Sequence, residues 1–291
     1  MIGWFFSRNK RNAEIYVEII RIIMQLLHAG GNKMHRYSIN VSTVFTEYPF
    51  LDRFQKAKEA GFKFVECQFP YDYSIDDILE KLEEHNLTLV LINLPPGSWE
   101  KGDRGLAVDP TRIEEFKVSV ENGISYASAL GVRMVHCMAG IVSGQQDVRD
   151  TYIQNVRYAG EKLAEYGITM LIEPINPFDM PGYFLQNLQE AVQILDEIGL
   201  SNVKLQYDIY HMQRIHGNLI SNLQLYFNKI GHIQIADVPG RGEPGTGEIH
   251  YENIFKAIHK QGYTGLIGLE YTPSGISSDS FGWIHNKGGT F

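Results

Sequence analysis

From Arg36 onward the chain alternates short apolar runs with amphipathic stretches of helical period. Runs of strand length and composition fall at residues 37–41, 62–67, 87–92, 132–137, 168–173, 203–208, 230–234 and 265–270. Between them the spacing predicts helices over 48–60, 74–85, 111–130, 147–166, 185–198, 219–228 and 251–261. Gly61 supplies a stop for the first helix. Ser74, with Asp77 three residues on, is an acidic variant of the capping box at the second. Eight strands alternating with helices is the count of a (β/α)8 TIM barrel, whereas an open doubly wound sheet has about five or six. No Gly-rich dinucleotide fingerprint follows the first strand, and no linker-like stretch interrupts the alternation. Residues 34–291 therefore read as a single α/β barrel domain.

The first 33 residues follow a different pattern. Trp4, Phe5 and Phe6 come first, then Arg8, Lys10 and Arg11, then an amphipathic stretch over 13–28. The basic group follows the aromatic one, and Glu14, Glu18 and Arg21 interrupt the apolar run. This is the pattern of neither a secretory signal nor a membrane span. The expectation is an N-terminal helical extension outside the fold, with Met34 a sensible start just before the first strand.

The last four apolar runs carry the chemistry. They end at or next to Glu173, Asp208, Gln234 and Glu270. In a parallel barrel the carboxyl ends of the strands converge on one mouth, where the active site sits. Three carboxylates and one amide meeting there make an all-oxygen cage suited to Mg2+ or Mn2+. Burying an unpaired carboxylate costs several kcal/mol, so Glu173, which precedes Pro174, needs a cation or donors. Glu270, with Pro273 close behind, repeats the arrangement. Plainer readings stand beside these: Glu173 salt-bridged to a neighbouring base, Gln234 tying down a strand end, Arg241 solvated or paired with Glu243. His211, three residues after Asp208, is either a satisfied structural histidine or a substrate donor. Arg241 lies in the Gly-rich loop 237–248, which can adopt anion-cradling turns but lacks the P-loop ending. A guanidinium over the mouth grips a carboxylate in two-pronged fashion. Glu66, Asn93 and His136 lie near the ends of earlier strands and are placed to line the pocket.

Composition narrows the function further. A chain of 291 residues at 44% hydrophobic content fills one barrel of ordinary size. A net charge of −8 argues against nucleic acid as a partner, since holding phosphate backbones needs clustered Lys and Arg. It leaves room for a small anionic substrate, and homo-oligomerisation stays open. Cys67 and Cys137, each ending an apolar run, read as small core residues in a reducing, cytoplasmic setting. A hard cation chelating a carbonyl and the adjacent hydroxyl acidifies the neighbouring C–H. Two glutamates can then remove a proton and return it. That is the requirement for isomerising or epimerising an α-hydroxy carbonyl compound.

Longer motifs now carry a resemblance. They are Asn40-Val41-Ser42, Phe69-Pro70-Tyr71-Asp72-Tyr73, Asn93-Leu94-Pro95, Ile172-Glu173-Pro174-Ile175-Asn176, the stretch 206–214, Ile233-Gln234-Ile235-Ala236-Asp237 and the stretch 241–249. With Glu270-Tyr271, they resemble the hydroxypyruvate isomerase family of xylose-isomerase-like barrels, from about Met34 to Trp283. The resemblance implies that Glu173, Asp208, Gln234 and Glu270 hold the divalent metal, and that Glu173 and Glu270 are proton donor and acceptor. It implies that His211 and Arg241 hold substrate oxygens, and that hydroxypyruvate becomes tartronate semialdehyde through a cis-enediolate. His136 departs from the family's pattern, where Asn is frequent. Close relatives act on 2-oxo-tetronate, and ketose 3-epimerases share the barrel. Gln234, where epimerases tend to carry His, favours the isomerases. An endonuclease-type reading on the same barrel would need a larger His set for three zinc ions and a basic groove.

Overall fold

Eight parallel strands close on themselves in chain order: β1 (Tyr37–Asn40), β2 (Phe64–Glu66), β3 (Thr88–Asn93), β4 (Met134–His136), β5 (Thr169–Ile172), β6 (Val203–Asp208), β7 (Ile230–Ile235) and β8 (Ile267–Leu269). This is the TIM barrel that the eightfold alternation predicts. The computed structural model describes residues 36–142 and 148–285. The expected extension 1–33 and Met34 lie outside the described residues.

Helices connect the strands on the outside: α1 (Asp52–Glu59), α2 (Ile75–His85), α3 (Ile113–Ala129), α4 (Arg149–Ala164), α5 (Leu188–Ile198), α6 (Ile209–Ile215), α7 (Leu219–Leu225) and α8 (Tyr251–Lys260). After β8 the described residues form a 3-10 turn, Ser277–Phe281, and the single-turn α9 (Gly282–His285). Local chemistry sets the ends. Ser74 caps α2 by accepting from the Asp77 amide at 3.1 Å, as its spacing predicts. The helix expected over 48–60 starts at Asp52 instead. Pro49 disfavours helical backbone at Tyr48, whose carbonyl accepts from Arg53 Nε at 2.9 Å. The helix expected from 185 starts at Leu188, because Asn187 caps it by accepting from the Glu190 amide at 3.1 Å. Residues 219–228 divide into α7 and a 3-10 turn, Phe227–Lys229.

Strand side chains alternate between two faces, and the two faces here differ in kind. Ile39, Val65, Val135, Ile172, Tyr207, Ile233 and Leu269 are fully buried between the strands and the helices, where most of the core lies. Burying each aliphatic side chain of this set contributes about 1.5–3 kcal/mol. The alternate residues, Ser38, Glu66, His136, Gln206, His232 and Gln234, are buried and polar. The register pairs Asn40 with Glu66, Asn93 with His136, Asp208 with Gln234 and Gln234 with Gly268. Polar groups from neighbouring strands thus share a level near the carboxyl end. Cys67 and Cys137 are free and buried, as expected of small core residues.

Candidate active site

Glu173 follows β5 immediately and is buried. Its Oε1 has no hydrogen-bond partner, and its Oε2 lies 3.7 Å from His136 Nε2. Asp208 ends β6 and caps α6, its Oδ1 accepting from the Tyr210 amide at 2.8 Å. That leaves Oδ2 unpartnered, 3.8 Å from His211 Nε2 and 3.6 Å from Arg241 Nη2. One ligand atom from each of Glu173, Asp208 and His211 lies within 4.8 Å of the other two.

Glu270, just past β8, is held from three directions. Its Oε1 accepts from Asn40 Nδ2 at 3.0 Å and Gln68 Nε2 at 2.9 Å, and its Oε2 pairs with Arg241 Nη2. Arg241 reaches it from the loop after β7, with left-handed backbone (φ 55°) and its guanidinium over the Tyr210 ring. The alternative partner, Glu243, is taken by Ser274. The Gly-rich loop does cradle an anion, and the anion is the chain's own. Asp237 accepts from the amides of Val238, Gly245, Gly247 and Ile249 at 2.9–3.0 Å. A Cβ at Gly247 would meet the Val238 carbonyl oxygen at 1.9 Å and Asp237 Oδ1 at 2.7 Å. Asp237 therefore fixes the loop that delivers Arg241.

Gln234 pairs with Asp208 in the strand register, and its amide is engaged at both ends. Its Oε1 accepts from Gln206 Nε2 at 2.7 Å, and its Nε2 donates to Glu66 Oε2 at 2.9 Å. Glu66 also accepts from Ser38 at 2.5 Å and lies 2.7 Å from His232 Nε2. Its carboxylate needs the bare backbone of Gly268, where a Cβ would fall 2.5 Å from Glu66 Oε1. Glu66 is fully buried beneath the cavity and is not among its lining residues. The cavity itself, about 250 Å3, is lined by Asn93, His136, Glu173, His211, Arg241 and Glu270. Gln68, Phe69, Trp99, Met138 and Gln206 line it too, though the strand-end pattern assigns none of them a role. Gln206 was legible, since it stands two residues before Asp208 on the same strand face. The larger groove, about 550 Å3, lies beside α1, lined by residues such as Phe45, Tyr48, Lys56 and Asp279 and by none of the candidate site residues.

Of the four expected metal ligands, the structure brings Glu173 and Asp208 together beside His211. It engages Glu270 with Arg241 and ties Gln234 to Gln206 and Glu66. Burial and mutual repulsion leave this set poorly satisfied as bare carboxylates. Burial, then the charges of Asp208 and Glu270, push the Glu173 carboxyl well above its ordinary range. Burial raises Asp208 to about 7, with Glu270 adding to the effect and Arg241 opposing it. Burial works against the charge on Arg241, yet Glu270, Asp208 and Glu173 hold it firmly protonated. Burial lowers His136 to about 3, and burial followed by Arg241 lowers His211 well below the usual imidazole range. Both imidazoles are therefore neutral at pH 7. Two buried carboxylate oxygens without hydrogen-bond partners, Glu173 Oε1 and Asp208 Oδ2, fit a hard divalent cation.

A pH dependence follows. Both carboxyls are raised above their unfolded values, so the metal-free fold binds more protons than the unfolded chain. Their contribution is full below about pH 4, the unfolded carboxyl range, and is lost as pH rises through about 7, the folded value of Asp208. The melting temperature of metal-free protein should fall across that window, and Mn2+ should restore more of it at pH 8 than at pH 5. Equal stabilisation at both pH values would contradict this reading.

Comparison with known proteins locates the chain. The sequence profile described as "Xylose isomerase-like TIM barrel" matches residues 54–287. The hydroxypyruvate isomerase of Escherichia coli is 44% identical over 254 residues, 86% of this chain and 98% of that protein. The 2-oxo-tetronate isomerase of Cupriavidus necator is 40% identical over the same shares. A crystal structure titled "AP endonuclease, family 2 from Brucella melitensis" superposes with a TM-score of 0.84 at 43% identity, covering 86% of this chain and 98% of that one.

Proposed function

This chain belongs to the xylose isomerase-like TIM-barrel family and is an isomerase, and from that premise we propose that it interconverts hydroxypyruvate and 2-hydroxy-3-oxopropanoate (tartronate semialdehyde). The observation that carries the reading is a pair of buried glutamates, Glu173 and Glu270, facing one cavity of about 250 Å3. That space suits a three- or four-carbon acid. Glu173, Asp208, Gln234 and Glu270 hold a divalent cation, Mg2+ or Mn2+. When bound, the cation polarises the substrate carbonyl and acidifies the adjacent C–H.

One glutamate takes a proton from C3 of hydroxypyruvate, leaving the bonding pair as the C2=C3 double bond of an enediolate. The other returns a proton to C2, and the hydroxyl proton passes from O3 to O2. Atoms and charge balance without a further reactant. Arg241 and His211 hold the substrate's oxygens. Asn93 and His136 wall the cavity, and Glu66 steadies the Gln234 amide from below. The two free buried thiols fit a cytoplasmic enzyme. Among the described residues no helix is long and apolar enough to cross a membrane.

The 40% identity to a 2-oxo-tetronate isomerase supports a second reading, a four-carbon acid in the same mouth. Purified protein with Mg2+ or Mn2+, offered hydroxypyruvate, 2-oxo-tetronate and a ketohexose in parallel, separates the options. Turnover of hydroxypyruvate is expected to be fastest. Turnover of the ketohexose alone would overturn the hydroxy-acid assignment. Arg241→Ala is expected to raise KM by roughly 10-fold or more, the value of a lost charge-assisted hydrogen bond. An unchanged KM would reduce Arg241 to a partner of Glu270.

A further inference from the structure

We propose that Asn176 is a positioning residue that fixes His211 as the Nε2–H tautomer, making His211 a donor to a substrate oxygen and excluding it from the metal's ligands. The substrate half of this statement rests on the function proposed above; the tautomer does not.

Asn176 is fully buried, three residues after Glu173. Its amide orientation is settled by its contacts. Oδ1 accepts from the backbone amides of Phe178 at 3.1 Å and Asp179 at 3.0 Å. The other end donates to Asp179 Oδ2 at 3.0 Å, so it is Nδ2. Arg214 Nη1 fixes Asp179 in turn, at 2.9 Å from its Oδ1. The reversed amide would set N–H against N–H and a carbonyl against a carboxylate. In the observed orientation Nδ2 lies 2.8 Å from His211 Nδ1, and the Asn176 backbone N–H points at the same atom from 3.4 Å.

Two donors face one ring nitrogen, so Nδ1 must present its lone pair. An imidazolium, or the tautomer protonated on Nδ1, would oppose hydrogen to hydrogen at 2.8 Å. The ring proton therefore sits on Nε2, the nitrogen 3.8 Å from Asp208 Oδ2. A protonated nitrogen cannot coordinate a cation. Of the triad Glu173, Asp208 and His211, only the two carboxylates remain as ligands, and the rest of the set must come from elsewhere, as Gln234 and Glu270 would supply. Nε2–H is left to donate to an oxygen of the bound molecule.

Nitrogen-15 spectra of the imidazoles in the full chain test this directly, with His211 identified by the signal lost in His211→Gln. In the unaltered protein Nε2 is expected to be protonated and Nδ1 to show the shift of a bare acceptor. In Asn176→Asp a carboxylate faces Nδ1, so the proton should move there, and hydroxypyruvate turnover should fall roughly 10- to 100-fold, the range for an outer-shell partner. Asn176→Ala, a milder change, should leave a mixture of tautomers. A proton on Nδ1 in the unaltered protein would overturn the proposal. So would turnover unchanged in both variants. The spectrum of the unaltered chain needs no variant to fold. If that chain turns over no hydroxy-oxo acid, the proposed function fails while the tautomer still stands or falls on the spectrum.

Discussion

Replacing either glutamate with glutamine, Glu173→Gln or Glu270→Gln, should lower hydroxypyruvate turnover by roughly 100-fold or more, within the range for a general acid–base group. Glutamine keeps the size and one carbonyl oxygen of the side chain but cannot take up or give back a proton. At Glu270 the substitution can preserve the bonds from Asn40 and Gln68 to the oxygen while removing the charge opposite Arg241. At Glu173 glutamine is a neutral isostere of the protonated carboxyl that burial favours, so the variant should fold about as stably as the parent without metal. Activity should therefore fall at Glu173 with no matching loss of stability. Turnover followed by proton NMR, beside melting curves of metal-free protein, checks both. Near-parental rates in both variants would refute their assignment as proton carriers.

Removing divalent ions should have an effect at least as large. Without a cation, Glu173, Asp208 and Glu270 crowd one buried site with Arg241 as the facing base, and burial drives Glu173 and Asp208 toward their protonated forms. A carboxyl holding its proton neither binds a metal nor accepts a proton from substrate. Chelator-treated protein is expected to lose at least about 100-fold in turnover, as expected when several kcal/mol of carbonyl polarisation disappear. Adding back Mg2+ or Mn2+ should restore it. Full activity after exhaustive chelation would end the metal assignment.

The fold was legible because a parallel barrel writes each strand as an apolar run and each connection as a helical period. Edges were less so. Pro49 and the Arg53 side chain, for instance, delay α1 by reorganising the backbone around Tyr48. Strand ends revealed Glu173, Asp208 and Glu270, since a carboxylate closing an apolar run has few structural explanations. Depth was harder. Glu66 and Gln234 stand at strand ends in the sequence, yet they are tied to each other, Gln234 Nε2 donating to Glu66 Oε2, and neither lines the cavity. Gln206 and Gln68 could have been found by stepping two residues along a face from Asp208 and Glu66. Asp237 could not, because its four amide donors come together only when the loop folds back on it. The proton on His211 depends on Asn176, 35 residues earlier in the chain, and is set by tertiary contact alone.

In the proposed function one ion is held by side chains from four strands. Mn2+ binding to chelator-stripped protein, counted per chain by calorimetry and repeated with Asp208→Ala, tests it most directly. One ion per unaltered chain, lost in the variant, is the expected result. Two or three ions per chain, or one bound equally well without Asp208, would contradict it.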